Sequence, residues 1–588
     1  MRAKPYRYES RRARFKDAFA AEQCYTGARM LTLPLGRISG RALSALVTAV
    51  RKTPARAPLT RLFRAQLGID ALRALGPEAR AELPFSHAPL SARADHERAS
   101  LQLPFAVPET WPRSVASVGD RYRSGDADPV AVVARALSHA RSLAARSPTL
   151  GPLCGYDDER ALAAARDSAR RFADGSARSA LEGIPIAVKE EVDTAGFTTR
   201  MGSNCLRRNP ASADAVAVAR LRAAGAIVIG QTPMTEFGLS PLGGNANRQM
   251  PRNPHDPGRL PGGSSSGSAV AVATGITPLS LGCDGGGSIR IPAALCGVFG
   301  LKPTYGRVPQ TGHGLPGVMS VVHLGPIGAS THDLALFLEH ASGADAADPS
   351  SAVAPRALPE AFTSALRRGV RGLRIGVNEA DWATLPDDVG GPGRQALDAL
   401  EREGAVLVPM KLRLGRYSAP IGYLTIGVEA FAAMSEIRAH HMDELGHDMQ
   451  LFLAGLETFR PDDYVDAQRI RASVRVELAA LLREVDVLAM PATAVGAPPV
   501  SDDEARSGFI DPPLLDAMCR FAFLANVTGV PAGVAPVGRD RNGMPIGLQI
   551  IGDAWDEACV LQVLAHLERQ GVAQVQRPAA DAAVDLLG

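Results

Sequence analysis

The chain has 588 residues, enough for several domains or for one large enzyme core with additions. Hydrophobic residues make up 46% and charged residues 21%, which excludes wholesale disorder, and the 58 glycines and 44 prolines follow no three-residue period, which excludes collagen. The net charge of +3 hides an asymmetry: residues 1–110 carry 19 Lys/Arg against 9 Asp/Glu, so a basic arm precedes an acidic body.

The seven cysteines form no CxxC pair, and their odd number and wide spacing argue against a disulfide framework or a cysteine-rich zinc site. A reducing, cytoplasmic setting is expected. The N-terminus is charged and has no apolar core behind it, unlike a secretory signal. The arm reads as a solubilising or poorly ordered extension, with contact to anionic lipid, nucleic acid or an acidic partner surface as the alternative role.

Residues 1–110 look helical in patches, broken by Pro54, Pro58, Pro77, Pro84 and Pro89. One patch, Ser39 to Val50, places Leu43, Leu46, Val47 and Val50 on one face, as an ordinary packed helix would. Asp128-Pro129 then opens a clear helix, with Asp as N-cap and Pro at the first helical position. A second helix is expected from Asp157 to Phe172. The apolar run from Ile184 to Val188 reads as a buried strand that ends in Lys189. Another helix is expected from Asp214 to Ala224, and a strand over 226–229. The long uncharged run from Leu260 to Cys283 could span a bilayer by length, but its Gly, Ser, Thr and Pro content predicts a buried loop, helix and strand. Later strands are predicted at 373–377, 406–408, 485–490, 533–537 and 546–551, with helices at 334–340 and 557–569. This alternation indicates an α/β protein with a largely buried sheet.

Two Gly/Ser stretches carry the chemistry. One runs from Pro261 to Ala269, the other from Cys283 to Pro292. Glycine runs bring backbone N–H groups close to a ligand, and three glycines before Ser288 suit an oxyanion hole. Gly263 to Gly267 also fits the nucleophile-elbow pattern around Ser265, but no apolar strand precedes it. Cys283 invites a cysteine-hydrolase reading, against which stand its apolar surroundings and the lack of a His nearby in sequence. Asn526-Val527-Thr528 fits a glycosylation sequon in an apolar region, a coincidence of composition.

An ordered set of segments resembles the amidase signature family of serine hydrolases. The set comprises 183–189 ending in Lys189, Arg252-Asn253-Pro254 with 261–265, then 284–290 around Ser288, 300–304, 306–309, 526–531 and 545–549. The 75 residues from Lys189 to Ser264 and the 24 from Ser264 to Ser288 agree with the family's spacing. The resemblance covers about 111–588 as a catalytic domain and leaves 1–110 outside as a partly helical extension. It implies a central twisted mixed β-sheet with helices on both faces. It implies Ser288 as the acylated nucleophile, Lys189 as the base acting through Ser264 after a cis Gly263–Ser264 bond, and an oxyanion hole from the N–H groups of Gly285, Gly286, Gly287 and Ser288. A serine hydroxyl needs such a base, and a lysine serves as one only when neutral, a form that burial favours. Asp284 and Arg290 match the motif and are expected to be structural.

Two positions depart from the family: Gly285, where a larger residue is usual, and Ser266, where glycine is common. The first is expected to loosen the oxyanion loop and the second to narrow the turn. The implied activity is hydrolysis of a small-molecule carboxamide through an acyl-enzyme, with no cofactor, metal or nucleic acid, and with a homodimer as one assembly. The alternatives are the A-type subunit of a glutamine-dependent amidotransferase and an idle scaffold. The former has an Asp where Cys519 stands; the intact Lys189, Ser264 and Ser288 argue against the latter. Residues 411–475 are expected to shape the pocket, with Phe431, Met434 and Phe452 as candidate lining. The extension is expected to govern location rather than bond cleavage.

Overall fold

The computed structural model describes residues 36–588, apart from 53–61, 63, 77–78, 81–88, 93–101, 105–110, 112, 207, 316–319 and 356–359. Pro54, Pro58, Pro77 and Pro84, the predicted helix breakers, lie outside the described residues, as does the N-terminal stretch before residue 36. Among the described residues, no helix is long and apolar enough to cross a membrane.

In chain order the strands are β1 (Ile38–Ser39), β2 (Gly155–Tyr156), β3 (Pro185–Lys189), β4 (Ile227–Thr232), β5 (Leu279–Asp284), β6 (Phe299–Lys302) and β7 (His323–Gly328). They continue with β8 (Arg374–Val377), β9 (Val406–Pro409), β10 (Val487–Pro491), β11 (Phe509–Ile510), β12 (Ala532–Arg539) and β13 (Pro545–Gly552). Eleven of them form one mixed sheet in the order β2-β4-β3-β5-β7-β6-β12-β13-β10-β8-β9. Strand β3 runs parallel to both β4 and β5, whereas β7, β6, β12 and β13 are joined antiparallel. Every residue of β3, β4, β5, β6, β7, β10 and β13 is buried, which is why these strands are continuous apolar or small-residue runs rather than alternating ones.

Helices pack around the sheet where their caps predict. Asp128 accepts the Val130 N–H at the start of Pro129–Ala144, and Asp157 accepts the Arg160 N–H before Asp158–Ala173. The uncharged run from Leu260 resolves into a loop, the helix Ser266–Ala273 and β5, all buried. Strands β6 and β7 were not anticipated. Gly300, Gly325 and Pro326 interrupt their apolar pattern, and burial between neighbouring strands outweighs that low strand propensity.

The extension is built into the body. Its first strand, β1, pairs antiparallel with β11, and the Arg37 guanidinium lies 3.1 Å from Asp511 Oδ2. The helix Gly40–Lys52 turns Leu43, Val47 and Val50 onto Leu451 and Ala454, so its apolar face is used inside the protein. Further on, Ile69 and Leu72 enter a core cluster with Leu424 and Ile470. Arg73 forms a two-pronged bridge to Asp463, both bonds 2.6 Å. Leu43 is fully buried. Leu43→Ala should therefore weaken docking of this helix by about 2–5 kcal/mol. The expected readout is faster amide hydrogen exchange over 40–52, with exchange in β3 and β5 unchanged.

Candidate active site

Parallel pairing sets the site. Because β3 and β5 run side by side in one direction, their C-terminal ends emerge together, the usual place for a ligand in such sheets. Lys189 is the last residue of β3, and Asp284, the last of β5, leads into the triple-glycine loop. The Gly/Ser stretch before Ser266–Ala273 lies across these ends: the Ser265 N–H donates to the Ser288 carbonyl at 3.2 Å. The Gly263–Ser264 peptide bond is cis.

Lys189 is 1% exposed. Its Nζ lies 2.8 Å from Ser264 Oγ and 3.4 Å from the Cys283 carbonyl oxygen, as hydrogen bonds. It also stands 2.6 Å from Glu191 Oε1 as a charge contact. Ser288 keeps 8% of its surface and faces a cleft; its hydroxyl has no hydrogen-bond partner among the described residues. The structure thus brings Lys189, Ser264 and Ser288 into one neighbourhood, with the Lys189–Ser264 bond already made.

Asp284 and Arg290 hold the glycine loop. Arg290 Nη2 and Nε donate to the two Asp284 oxygens at 2.9 and 3.0 Å, deep in the interior. Burial pushes the Asp284 carboxyl up, but Arg290 more than reverses this and holds it well below the usual carboxylate range. The same carboxylate accepts the Gly287 N–H at 2.7 Å and the Ile289 N–H at 3.1 Å. Gly287 therefore differs from the expected oxyanion donor, because its N–H is committed to shaping the loop. The N–H groups of Gly285, Gly286 and Ser288 have no acceptor among the described residues. Gly287 needs its glycine: φ is +112°, and a Cβ would lie 2.6 Å from that of Ala522.

The two departures from the family pattern are accommodated. Ile426 reaches within 2.8 Å of where a Cβ on Gly285 would sit, so a neighbour fills that space. Ser266 Oγ donates to the Gly262 carbonyl at 2.7 Å, closing the turn. Ser265, the elbow candidate, is fully buried and donates to the Cys283 carbonyl at 3.1 Å, which removes it from the cleft. Asn526 is buried and donates to Asp284 Oδ1 at 2.8 Å, so the sequon is a packing residue.

Sequence reasoning missed the groups behind Lys189. His313 lies 30 positions after Cys283, yet its Nε2 is 3.7 Å from Cys283 Sγ and 3.4 Å from Glu191 Oε2. Cys283 thus has a histidine neighbour after all, supplied by a distant loop. Burial pushes its thiol well above the ordinary range, the opposite of what a thiolate nucleophile needs. Glu191, Cys283 and His313 form a gathering of metal-ligand residue types. Their contacts with one another and with Lys189 make them the lysine's surroundings. The only sequence signal was the acidic pair Glu190-Glu191 after the strand; Glu190 turns away to Arg248 at 2.7 Å.

The cleft above Ser288 opens to solvent and is lined mainly by apolar side chains. Phe452 lines it as expected, whereas Met434 is fully buried and Phe431 packs on the core. Leu46, Val50, Leu62 and Leu67 of the extension line it too. The extension is thus a wall of the cleft, a placement the sequence did not suggest. Cys519 lies in the same wall, its thiol pushed up to about 12 by burial.

This arrangement of strand-end lysine, Gly/Ser turn and glycine-led serine has counterparts. The family profile described as Amidase matches residues 139–561. A fatty acid amide hydrolase of Medicago truncatula is 34% identical over 466 residues, 78% of this chain and 76% of that one. A glutamyl-tRNA(Gln) amidotransferase chain from Chloroflexus aurantiacus is 36% identical over 461 residues, 74% and 92% of the two chains. The crystal structure of the peptide amidase from Stenotrophomonas maltophilia superposes with a TM-score of 0.67 at 29% identity, covering 81% of this chain and 99% of that one. The chain belongs to the amidase signature family. It is an enzyme that hydrolyses amide C–N bonds.

Ser288→Ala should abolish amide hydrolysis and leave the thermal unfolding midpoint in place. Lys189→Ala should lower kcat at least about a hundredfold, the lower end for a general acid–base group. Intact-mass detection of an acyl adduct on Ser265 in place of Ser288 would reject this assignment.

Proposed function

We propose that the protein hydrolyses amides bearing a long apolar chain, through an acyl-enzyme on Ser288. The observation that carries this reading is the cleft that ends on Ser288, walled by Leu46, Val50 and Leu67 of the extension and by Leu451, Phe452 and Phe509 of the body. Such walls favour an apolar chain by removing it from water. The fatty acid amide hydrolase relatives support the same substrate class.

In this mechanism Ser264 passes a proton from Ser288 Oγ to neutral Lys189 as Ser288 attacks the carbonyl carbon. The carbonyl π electrons move to oxygen, and the N–H groups of Gly285, Gly286 and Ser288 receive that oxyanion. Collapse breaks the C–N bond, and the proton returns through Ser264 to the leaving nitrogen. Water then releases the acid by the same relay. Against a glutamine site, position 519 offers a neutral buried thiol rather than a carboxylate for a substrate ammonium group. Free thiols at Cys154, Cys205, Cys283, Cys296, Cys519 and Cys559 support a cytoplasmic setting.

Across a series of straight-chain primary amides, kcat/KM should rise by up to about fourfold per methylene until the cleft is filled, from about 0.8 kcal/mol per buried CH₂. Equal values for butyramide and palmitamide would sink the reading. A chain starting near residue 111 should keep turnover of a small soluble amide per folded molecule and lose the chain-length dependence. An unchanged dependence would mean that the extension does not select substrate.

A further inference from the structure

We propose that Glu191 is a positioning residue for the reaction, the fixed counter-charge to the ammonium that forms on Lys189 when Ser288 is acylated, with His313 holding its carboxylate in place. The inference rests on the reading of Lys189 as base.

Four observations carry it. Glu191 is 3% exposed and its Oε1 lies 2.6 Å from Lys189 Nζ, so an ammonium formed there meets the carboxylate with little water between them. The same nitrogen donates to Ser264 Oγ at 2.8 Å and to the Cys283 carbonyl at 3.4 Å, which holds it between the serine relay and the carboxylate. That geometry sets the carboxylate against the nitrogen that gains the proton from Ser264. The other Glu191 oxygen faces His313 Nε2 at 3.4 Å, and the Leu315 N–H donates to His313 Nδ1. With Nδ1 accepting, the ring hydrogen sits on Nε2 and points its positive end at the carboxylate side of the cluster. Finally, burial alone would push the Glu191 carboxyl up, yet a charged Lys189, with His313, brings it down to about 2, so it is ionised beside the ammonium.

The remaining titratable groups around Lys189 do not supply this charge. From β5, Cys283 is a buried neutral thiol and Asp284 is committed to Arg290. From the turn after β3, Glu190 is paired with Arg248. A buried ammonium without an opposite charge is costly. Glu191 offsets that cost at the moment the proton arrives, much as the carboxylate of a serine-protease triad stabilises the imidazolium that forms beside it. No proton passes to Glu191: it leaves Ser288, crosses Ser264, stops on Lys189, and returns to the leaving nitrogen.

The test follows the rate of Ser288 labelling by a fluorophosphonate as a function of pH, together with amide turnover. Glu191→Gln removes the anion and keeps the shape. Its labelling rate should begin to rise at least about one pH unit lower than in the wild type, because an opposite charge at this distance shifts a partner by about 1–3 units. Its plateau should fall about tenfold, because the base is then weaker. Glu191→Asp should leave the rise near its original pH. A rise that stays in place in a folded Glu191→Gln variant, or a plateau equal to wild type, would overturn the proposal. Should Glu191→Gln fail to fold, the infrared difference spectrum between free wild-type enzyme and the enzyme phosphonylated on Ser288 by the fluorophosphonate, with loss of fluoride, decides. A new protonated-carboxyl band that shifts in Glu191→Asp would show that Glu191 takes the proton itself and would overturn the proposal; its absence supports it. Labelling on a residue other than Ser288 would instead reject the underlying assignment of the nucleophile.

Discussion

The buried pair of Asp284 and Arg290 is the constraint on which the site depends. A charge pair in the interior is tolerable only when its remaining hydrogen-bonding capacity is also met. Here the Asp284 carboxylate takes the N–H groups of Gly287 and Ile289 and the amide of Asn526. Arg290 donates to the Ala522 carbonyl at 2.8 Å and to Gln549 and Asn526 at 2.5 Å each. One ion pair thus ties the glycine loop to the end of β5, to the helix Phe523–Thr528 and to β13. A run of three glycines would otherwise sample many shapes. Asp284 fixes the loop by taking the Gly287 N–H and leaves those of Gly285, Gly286 and Ser288 unbonded among the described residues.

Around this rigid centre the molecule divides its labour. Lys189 sits at the end of β3, and Ser264 and Ser288 lie in the loops laid across the ends of β3 and β5. The cleft walls come from peripheral pieces: the extension, the helix His447–Leu456 and the segment near β11. Walls of that kind can change their apolar reach without disturbing Lys189 or Ser288, which lie behind and beneath them.

Features that depend on near neighbours in the chain were legible in the sequence. The caps Asp128 and Asp157, the buried run ending in Lys189 and the loop-helix-strand reading of 260–283 all follow from local pattern, and the helix at Gly40–Lys52 from its apolar stripe. Features made by distant contacts were not. Nothing near Cys283 announces His313, and nothing near Leu46 announces Phe452. Gly287 resembles its two preceding glycines until the Asp284 carboxylate is seen to take its N–H. Strands β6 and β7 were hidden because glycine and proline break the pattern that burial alone sustains.

The pairing of β1 with β11 sets the order of events during synthesis. Arg37 and Asp511 are 474 positions apart, and Ile38 pairs with Ile510. A ribosome makes the N-terminal part first, so the helix Gly40–Lys52 emerges long before its partners Leu451 and Ala454 exist. Its apolar face has no native surface to join until most of the chain has been made. The cleft above Ser288 is therefore among the last parts of the chain to gain its walls. A chain released early, before β11, would carry Lys189, Ser264 and Ser288 but leave the Gly40–Lys52 helix without its strand anchor.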